Sequence, residues 1–217
     1  MGNDFVSSEK VDKGPSSPFL SSRLLDRFEQ VGIVALWIWL TFRVIASSNH
    51  IAWLALVSET TILLFVLIRR PTESISRNID DWLLAMVGTF VPAFVVVSGD
   101  PLPGMEWLAI TMVLFGDLFQ IWAKLTLRRS FGLAPANRGV KTGGPYKLVR
   151  HPMYTGYCVA QVGVLIAVPS LFNLLLFVFC WSVQIVRLKR EEKFLVCDSG
   201  YQDMMNRIRW RLFPGVY

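Results

Sequence analysis

Residues 155–186 read TGYCVAQVGVLIAVPSLFNLLLFVFCWSVQIV, an apolar run without one charged side chain. A single helix crosses a bilayer with ~20 residues, so the run is too long for one span. Pro169, Ser170 and Asn173 interrupt it near the middle. Proline cannot continue a helix, and serine and asparagine favour turns, so the pattern predicts a helical hairpin turning at those residues. Each leg is then short for a full crossing.

Working outward toward the N-terminus, four more apolar blocks occur at 31–46, 51–68, 82–97 and 107–125, each near spanning length. With 53% hydrophobic and 18% charged residues and a mean hydropathy of +0.45, the chain is too apolar for an ordinary soluble domain. Trp53, Trp82 and Trp107 stand at block ends, where interfacial anchors belong. The expected fold is all-α and multi-span: four transmembrane helices, then a C-terminal helical hairpin with a long polar segment on the cytoplasmic side. Three regions follow from this, a mobile Ser-, Gly- and Pro-rich tail at 1–22, the transmembrane helices at 23–127, and a C-terminal region with the helical hairpin at 128–217. Residues 22–30 predict an amphipathic lead-in helix with Leu24, Leu25 and Phe28 on one side. The first block follows a long polar segment rather than a short charged leader, so it is expected as a retained span.

Basic residues set the orientation. Lys10, Lys13, Arg23 and Arg27 precede the first block, Arg69, Arg70 and Arg77 lie between the second and third, and Lys124, Arg128 and Arg129 follow the fourth. The loops 47–50 and 98–106 contain no Lys or Arg. Both termini and the segment after Arg128 are therefore expected in the cytoplasm. The same placement explains the net charge of +6 without nucleic acid: the cations flank apolar blocks, where anionic lipid headgroups lie. Membrane lipids, and no nucleic acid, are the expected polyanionic partners.

Cys158, Cys180 and Cys197 show no paired spacing and are expected to be buried thiols. His50 and His151 fall on opposite faces of the membrane in this topology, which argues against a two-histidine metal site. Two charges fall inside the predicted spans. Arg43 lies near a block end, from which it can snorkel outward. Glu59 is near mid-block and must be protonated, paired or turned to a cavity.

The connection 128–154, RRSFGLAPANRGVKTGGPYKLVRHPMY, is long for a helix-to-helix loop, and long loops in compact folds are commonly functional or disordered. Gly139, Gly143 and Gly144 permit close backbone approach, and Pro152 suits the first turn of the hairpin's first leg. The second leg ends in Arg187, Lys189, Arg190, Glu191 and Glu192. A returning hairpin brings these near His151 and Tyr154, with donors on one wall and carboxylates on another, a pocket suited to a zwitterion.

At Thr142-Gly143-Gly144-Pro145-Tyr146, Arg150-His151-Pro152-Met153-Tyr154-Thr155-Gly156, Arg187 and Glu191-Glu192, continued by Gly200 and Pro214, the sequence resembles the isoprenylcysteine carboxyl methyltransferase and phospholipid methyltransferase superfamily. The resemblance implies an integral membrane methyltransferase using S-adenosylmethionine. It further implies cofactor contacts from Arg138, Gly139, Val140, Lys141, Tyr146, His151, Pro152, Met153 and Tyr154, with Glu191 near the cofactor's amino group and Arg187 holding the acceptor. The acceptor expected is lipophilic and carries a carboxylate, as isoprenylcysteine does; lipid amines and small thiols are methylated elsewhere in the superfamily. The chain departs from the pattern after Gly200, where Tyr201 is followed by Met204 and Met205 instead of paired tyrosines. A sterol-type membrane reductase using NADPH shares a similar Arg-His-Pro-x-Tyr-x-Gly pattern, but this chain has fewer spans than such proteins. A non-catalytic adaptor would have no need of the pocket residues.

Overall fold

The computed structural model describes residues 22–46, 51–70, 72 and 74–217. The expected tail at 1–22 lies almost wholly outside the described residues, as do the loop 47–50 and His50. The described residues form seven α-helices: α1 Ser22–Ile45, α2 Ile51–Ile68, α3 Ile79–Phe90, α4 Glu106–Leu127, α5 Pro152–Ala167, α6 Leu171–Leu195 and α7 Ser199–Arg207. Among the described residues there is no strand, only an isolated antiparallel bridge between Ile75 and Ala136. Three helical stretches, Leu24–Ile45, Glu106–Ser130 and Leu171–Leu195, are long and apolar enough to cross a membrane; Glu59–Ile68 and Pro152–Ala167 are shorter apolar helices. Phe42, Phe115, Leu118 and Phe179 are all exposed. A soluble protein rarely tolerates apolar surface on this scale, whereas a bilayer requires it.

The third apolar block does not form a full-length helix. α3 ends at Phe90 after 12 residues, ~18 Å of rise, and Pro92 opens a 3₁₀ turn at Val91–Phe94. Arg43 donates to the carbonyls of Ala93 and, at 2.9 Å, of Val95, so it satisfies the frayed end of α3 instead of snorkelling outward. Trp82 is likewise no interfacial anchor: it is buried, and its indole N–H donates to Ser76 O at 2.8 Å. Trp53 and Trp107 do stand exposed.

The hairpin turns over 168–170, and Asn173 lies inside α6. Ser170 caps that helix by accepting from Asn173 N at 3.1 Å. The fully buried Asn173 amide group accepts from Val96 N at 3.0 Å and donates to Val96 O at 2.9 Å, pinning the segment after α3 as a neighbouring strand would. The second leg is not short: α6 runs 25 residues, past the apolar stretch into Arg187–Glu192. Nor do the two legs mainly pack on one another. α5 lies against α4, and α6 against α3.

Glycines make the α4–α5 contact. A Cβ on Gly116 would stand 2.5 Å from Ala160 N, one on Gly156 2.7 Å from Gly116 O, and one on Gly163 2.8 Å from Val113 N. In lipid no water is released between helices, so such close backbone contact and its dispersion energy drive association.

Polar contacts fasten the end of the bundle that carries the long connection. Arg69, at the end of α2, donates to Glu29 and, at 2.7 Å, to Asp26 of α1; Arg138 reaches the same Asp26 at 3.2 Å. Glu29, fully buried, also accepts from Leu133 N at 2.9 Å. The lead-in segment of α1 thus turns its acids inward and leaves Leu24 and Phe28 exposed, so Leu25 alone of the three apolar residues expected to share a face is buried. Below this network Phe131 and Leu133 of the connection join Ile33, Leu36, Ile62, Phe65, Val66 and Ala85 in one core.

Two further charges occupy the bundle interior besides Arg43 and Glu59. Asp117 and Lys124 of α4 are buried, Lys124 completely, so Lys124 does not reach headgroups as its place in the basic pattern suggested. Of the cysteines, Cys180 is buried, Cys158 half-buried and Cys197 exposed; all three are free, and Cys197 corrects the expectation of burial.

Candidate active site

The connection after α4 folds over the bundle end in a defined path. Arg128 adopts a positive φ of 50°, ending α4, and 3₁₀ turns at Arg128–Ser130 and Gly144–Lys147 follow. Gly139, at φ 94°, and Gly144, at φ 54° with Thr126 Oγ1 where a Cβ would stand, occupy backbone conformations that L side chains rarely adopt. Ser76 N donates to Pro135 O and Asn137 N to Ser74 O, clipping the connection to the segment before α3.

Pro152 then opens α5, and His151 precedes it without a side-chain cap. The C-terminal segment locks this helix start in place. Arg150 N donates to Trp210 O, His151 N to Arg211 O, and Thr155 Oγ1 to Leu212 O at 2.7 Å. Buried Glu192 gathers three cationic or imidazole partners: Arg150 at 3.3 Å, His151 Nε2 at 3.1 Å and Arg211 at 2.9 Å. Its neighbour Glu191 is free of this clamp and accepts from the Tyr154 hydroxyl at 3.2 Å.

Between the connection, the start of α5, the end of α6 and α7 lies a cleft with about 730 Å³ of free space, part of it open to solvent. Of the residues expected to contact a cofactor, Arg138, Gly139, Val140, Lys141, Tyr146, His151, Met153, Tyr154 and Glu191 line it. Pro152 does not; it is buried beneath as the first residue of α5. Arg187, expected to hold the acceptor, stands outside the lining. Its guanidinium lies 5.6 Å from the Tyr154 ring centroid, donates to Leu133 O at 2.5 Å, and contacts Gln184 Oε1 at 3.4 Å. It is buried, and among the described residues no carboxylate forms an ion pair with it.

Sequence reasoning missed the wall supplied by α7. Tyr201 and Met204, both buried, close the cleft opposite Tyr146. Their i, i+3 spacing, continued by Ile208, is a helical apolar face legible in the sequence but short enough to overlook. Asp198 caps α7 by accepting from Tyr201 N at 3.1 Å and also takes the Asn137 side-chain amide at 2.8 Å, joining α7 to the connection across the cleft. Burial raises the phenol pKa of Tyr146 and Tyr201, and the nearby Glu191 carboxylate, joined at Tyr201 by Glu192, adds to it; both rings therefore remain neutral.

Residues 104–198 match the family model described as phospholipid methyltransferase. The class defined by this match and by the three long apolar helices is that of an integral membrane methyltransferase. The matched family lies within the superfamily that unites phospholipid methyltransferases with isoprenylcysteine carboxyl methyltransferases, to which residues 104–198 are similar. No curated protein matches the chain. Members of the matched family generally use S-adenosylmethionine and act on lipid-related substrates.

The cleft fits that cofactor by its donors. Glu191 offers a carboxylate to an ammonium group. Arg138, Lys141 and Arg150 offer cations to a carboxylate, and Tyr146 and Tyr154 offer aromatic faces to a purine or a sulfonium.

Proposed function

We propose that the protein transfers a methyl group from S-adenosylmethionine, held in this cleft, to a lipophilic acceptor whose anionic group is gripped by Arg187. The observation that carries this is the placing of Tyr154. Its hydroxyl holds the cleft carboxylate Glu191, while its ring carries the buried Arg187 guanidinium, which has no acidic partner among the described residues. A buried cation without a counter-ion is costly, so an anion supplied from outside would be bound strongly there.

Bound in the cleft, S-adenosylmethionine would supply a methyl group on a cationic sulfur, the acceptor's nucleophile bonding to the methyl carbon in line as the carbon–sulfur bond breaks and neutral S-adenosylhomocysteine leaves. A carboxylate is already nucleophilic and needs no base. The protein's own residues then act by positioning and by excluding water. Glu191 takes the amino end, the tyrosine rings face the cation, and Arg187 orients the acceptor oxygen. In this reading both termini and the region 128–217 face the cytoplasm, because the end bearing the cleft carries Arg69, Arg70, Arg128 and Arg129.

The acceptor favoured is a carboxylate such as that of isoprenylcysteine. A lipid amine is the second reading, favoured by the description of the matched family; Arg187 would then hold the lipid phosphate. Incubating the membrane-reconstituted protein with methyl-labelled cofactor and either a prenylcysteine or an aminophospholipid distinguishes them. Label released as methanol by mild base marks an ester, and base-stable label marks an N-methyl product. Absence of label with every acceptor class opposes the proposed function.

A further inference from the structure

Behind the cleft a polar column runs through the bundle interior. Gln120 Nε2 donates to Asp117 Oδ1 at 2.7 Å, and Lys124 Nζ donates to Gln120 Oε1 at 2.9 Å and to Thr61 Oγ1 of α2 at 3.3 Å. Glu59 of α2 stands within electrostatic reach of both Lys124 and Asp117. The fully buried Lys124 ammonium lies 5.5 Å from the Tyr157 ring centroid. That ring meets Tyr154 edge-on at 6.2 Å, and Tyr154 in turn holds Glu191.

Charges at such depth are expensive, and apolar residues of similar volume commonly hold helices together as well or better. Adhesion of α5 to α4 does not call for Lys124, because the glycine contacts already join those two helices, while its bond to Thr61 anchors the ammonium on α2. What the ammonium adds is direction. Cation–π attraction strengthens where water is absent, and an edge-to-face pair fixes the angle between rings.

We infer that Lys124, held by Glu59, Asp117 and Gln120, is a positioning residue that acts through Tyr157 to fix the Tyr154 ring and, with it, the Glu191 carboxylate on the cleft wall. The inference rests on the function proposed above, since its readout is cofactor binding. Displacement of Tyr154 and Glu191 by a fraction of an ångström is expected to weaken S-adenosylhomocysteine binding by ~10-fold or more.

The test is calorimetric titration of the full chain in lipid nanodiscs with S-adenosylhomocysteine, alongside thermal unfolding. Tyr157→Leu and Lys124→Met should each lose that affinity. Tyr157→Phe, which keeps the ring, and Lys124→Arg, which keeps the cation, should recover most of it. The Lys124→Met/Tyr157→Leu double variant should bind no worse than either single one, as members of one column do. Folded variants that bind like wild type, with only a lowered Tm, overturn the inference and leave the column a structural brace. If Lys124→Met does not fold, the Tyr157 pair decides alone. A wild-type protein that binds no S-adenosylhomocysteine sinks the proposed function itself, a result distinct from equal binding by all variants.

Discussion

The Tyr154 hydroxyl donates to Glu191 Oε2 at 3.2 Å, joining the first turn of α5 to the last turns of α6 on the wall of the cleft. The contact aims a carboxylate at the space a zwitterionic cofactor would fill. Tyr154→Phe removes one hydrogen bond and is expected to weaken S-adenosylhomocysteine binding by about 1 kcal/mol, roughly fivefold, whereas Glu191→Gln removes the charge and should cost more. Calorimetry on both variants gives the order; equal losses would assign Glu191 no role beyond that of a hydrogen-bond acceptor.

Arg187 lies outside the cleft lining, so its loss should fall on the acceptor. Arg187→Met is expected to raise the acceptor KM at least ~10-fold, by loss of a buried charge-assisted contact, while cofactor affinity stays within several-fold. Loss of cofactor binding instead would refute its assignment to the acceptor.

Glu192 has a different task from its neighbour. It holds the buried Arg150 and His151 together with the partly exposed Arg211. Glu192→Ala leaves the buried Arg150 cation uncompensated and should destabilise the protein by about 3–5 kcal/mol. Differential scanning fluorimetry in detergent should show a fall in Tm far larger than for Glu191→Gln.

Gly163 faces the backbone of Val113 and Ala109 in α4, whereas a Cβ on Gly32 in α1 would meet only Phe90 Cζ at 3.6 Å. Gly163→Leu is therefore expected to cost at least ~1–3 kcal/mol through overpacking against backbone that cannot yield. Gly32→Ala should be neutral or stabilising by up to ~1 kcal/mol through helix propensity. Thermal unfolding of the pair checks the sign of each.

Asp198 supplies the pH dependence. The Asn137 amide and the Tyr201 N–H hold its carboxyl below the usual aspartate range. A depressed carboxyl contributes stability that is fully present above its unfolded-state value and is lost as pH falls through the folded value. Docking of α7 on the connection should therefore be constant from neutral pH down to the ordinary carboxylate range and weaken below it. Amide hydrogen exchange of 199–207, corrected for intrinsic rates, measures this. Protection lost already near neutral pH would assign the docking to another group.

The two kinds of information divide along physical lines. The 51–68 block and the C-terminal hairpin were legible because length and hydropathy are local properties that a bilayer reads directly. Nine of the residues that the family resemblance implied as cofactor contacts line the cleft, which the connection and the hairpin ends form together. Lys124 was misjudged because its neighbours in sequence place it at a basic membrane edge, while its neighbours in space are Gln120, Thr61 and Tyr157. Asp26 and Glu29 were passed over on a helix whose apolar residues drew the eye, since their partners Arg69 and Arg138 are remote in the chain.

By itself the sequence determined an all-helical membrane chain and the segment that supplies most of the cleft wall, because hydropathy blocks, breakers and motif spacing are written along one dimension. Only the tertiary structure decided that α5 pairs with α4 and α6 with α3, that Glu191 faces the cleft while adjacent Glu192 is committed to a buried clamp, and that α7 supplies the remaining wall. Adjacent residues on a helix point in directions about 100° apart. Which of two neighbouring glutamates meets a ligand is set by what packs against each face.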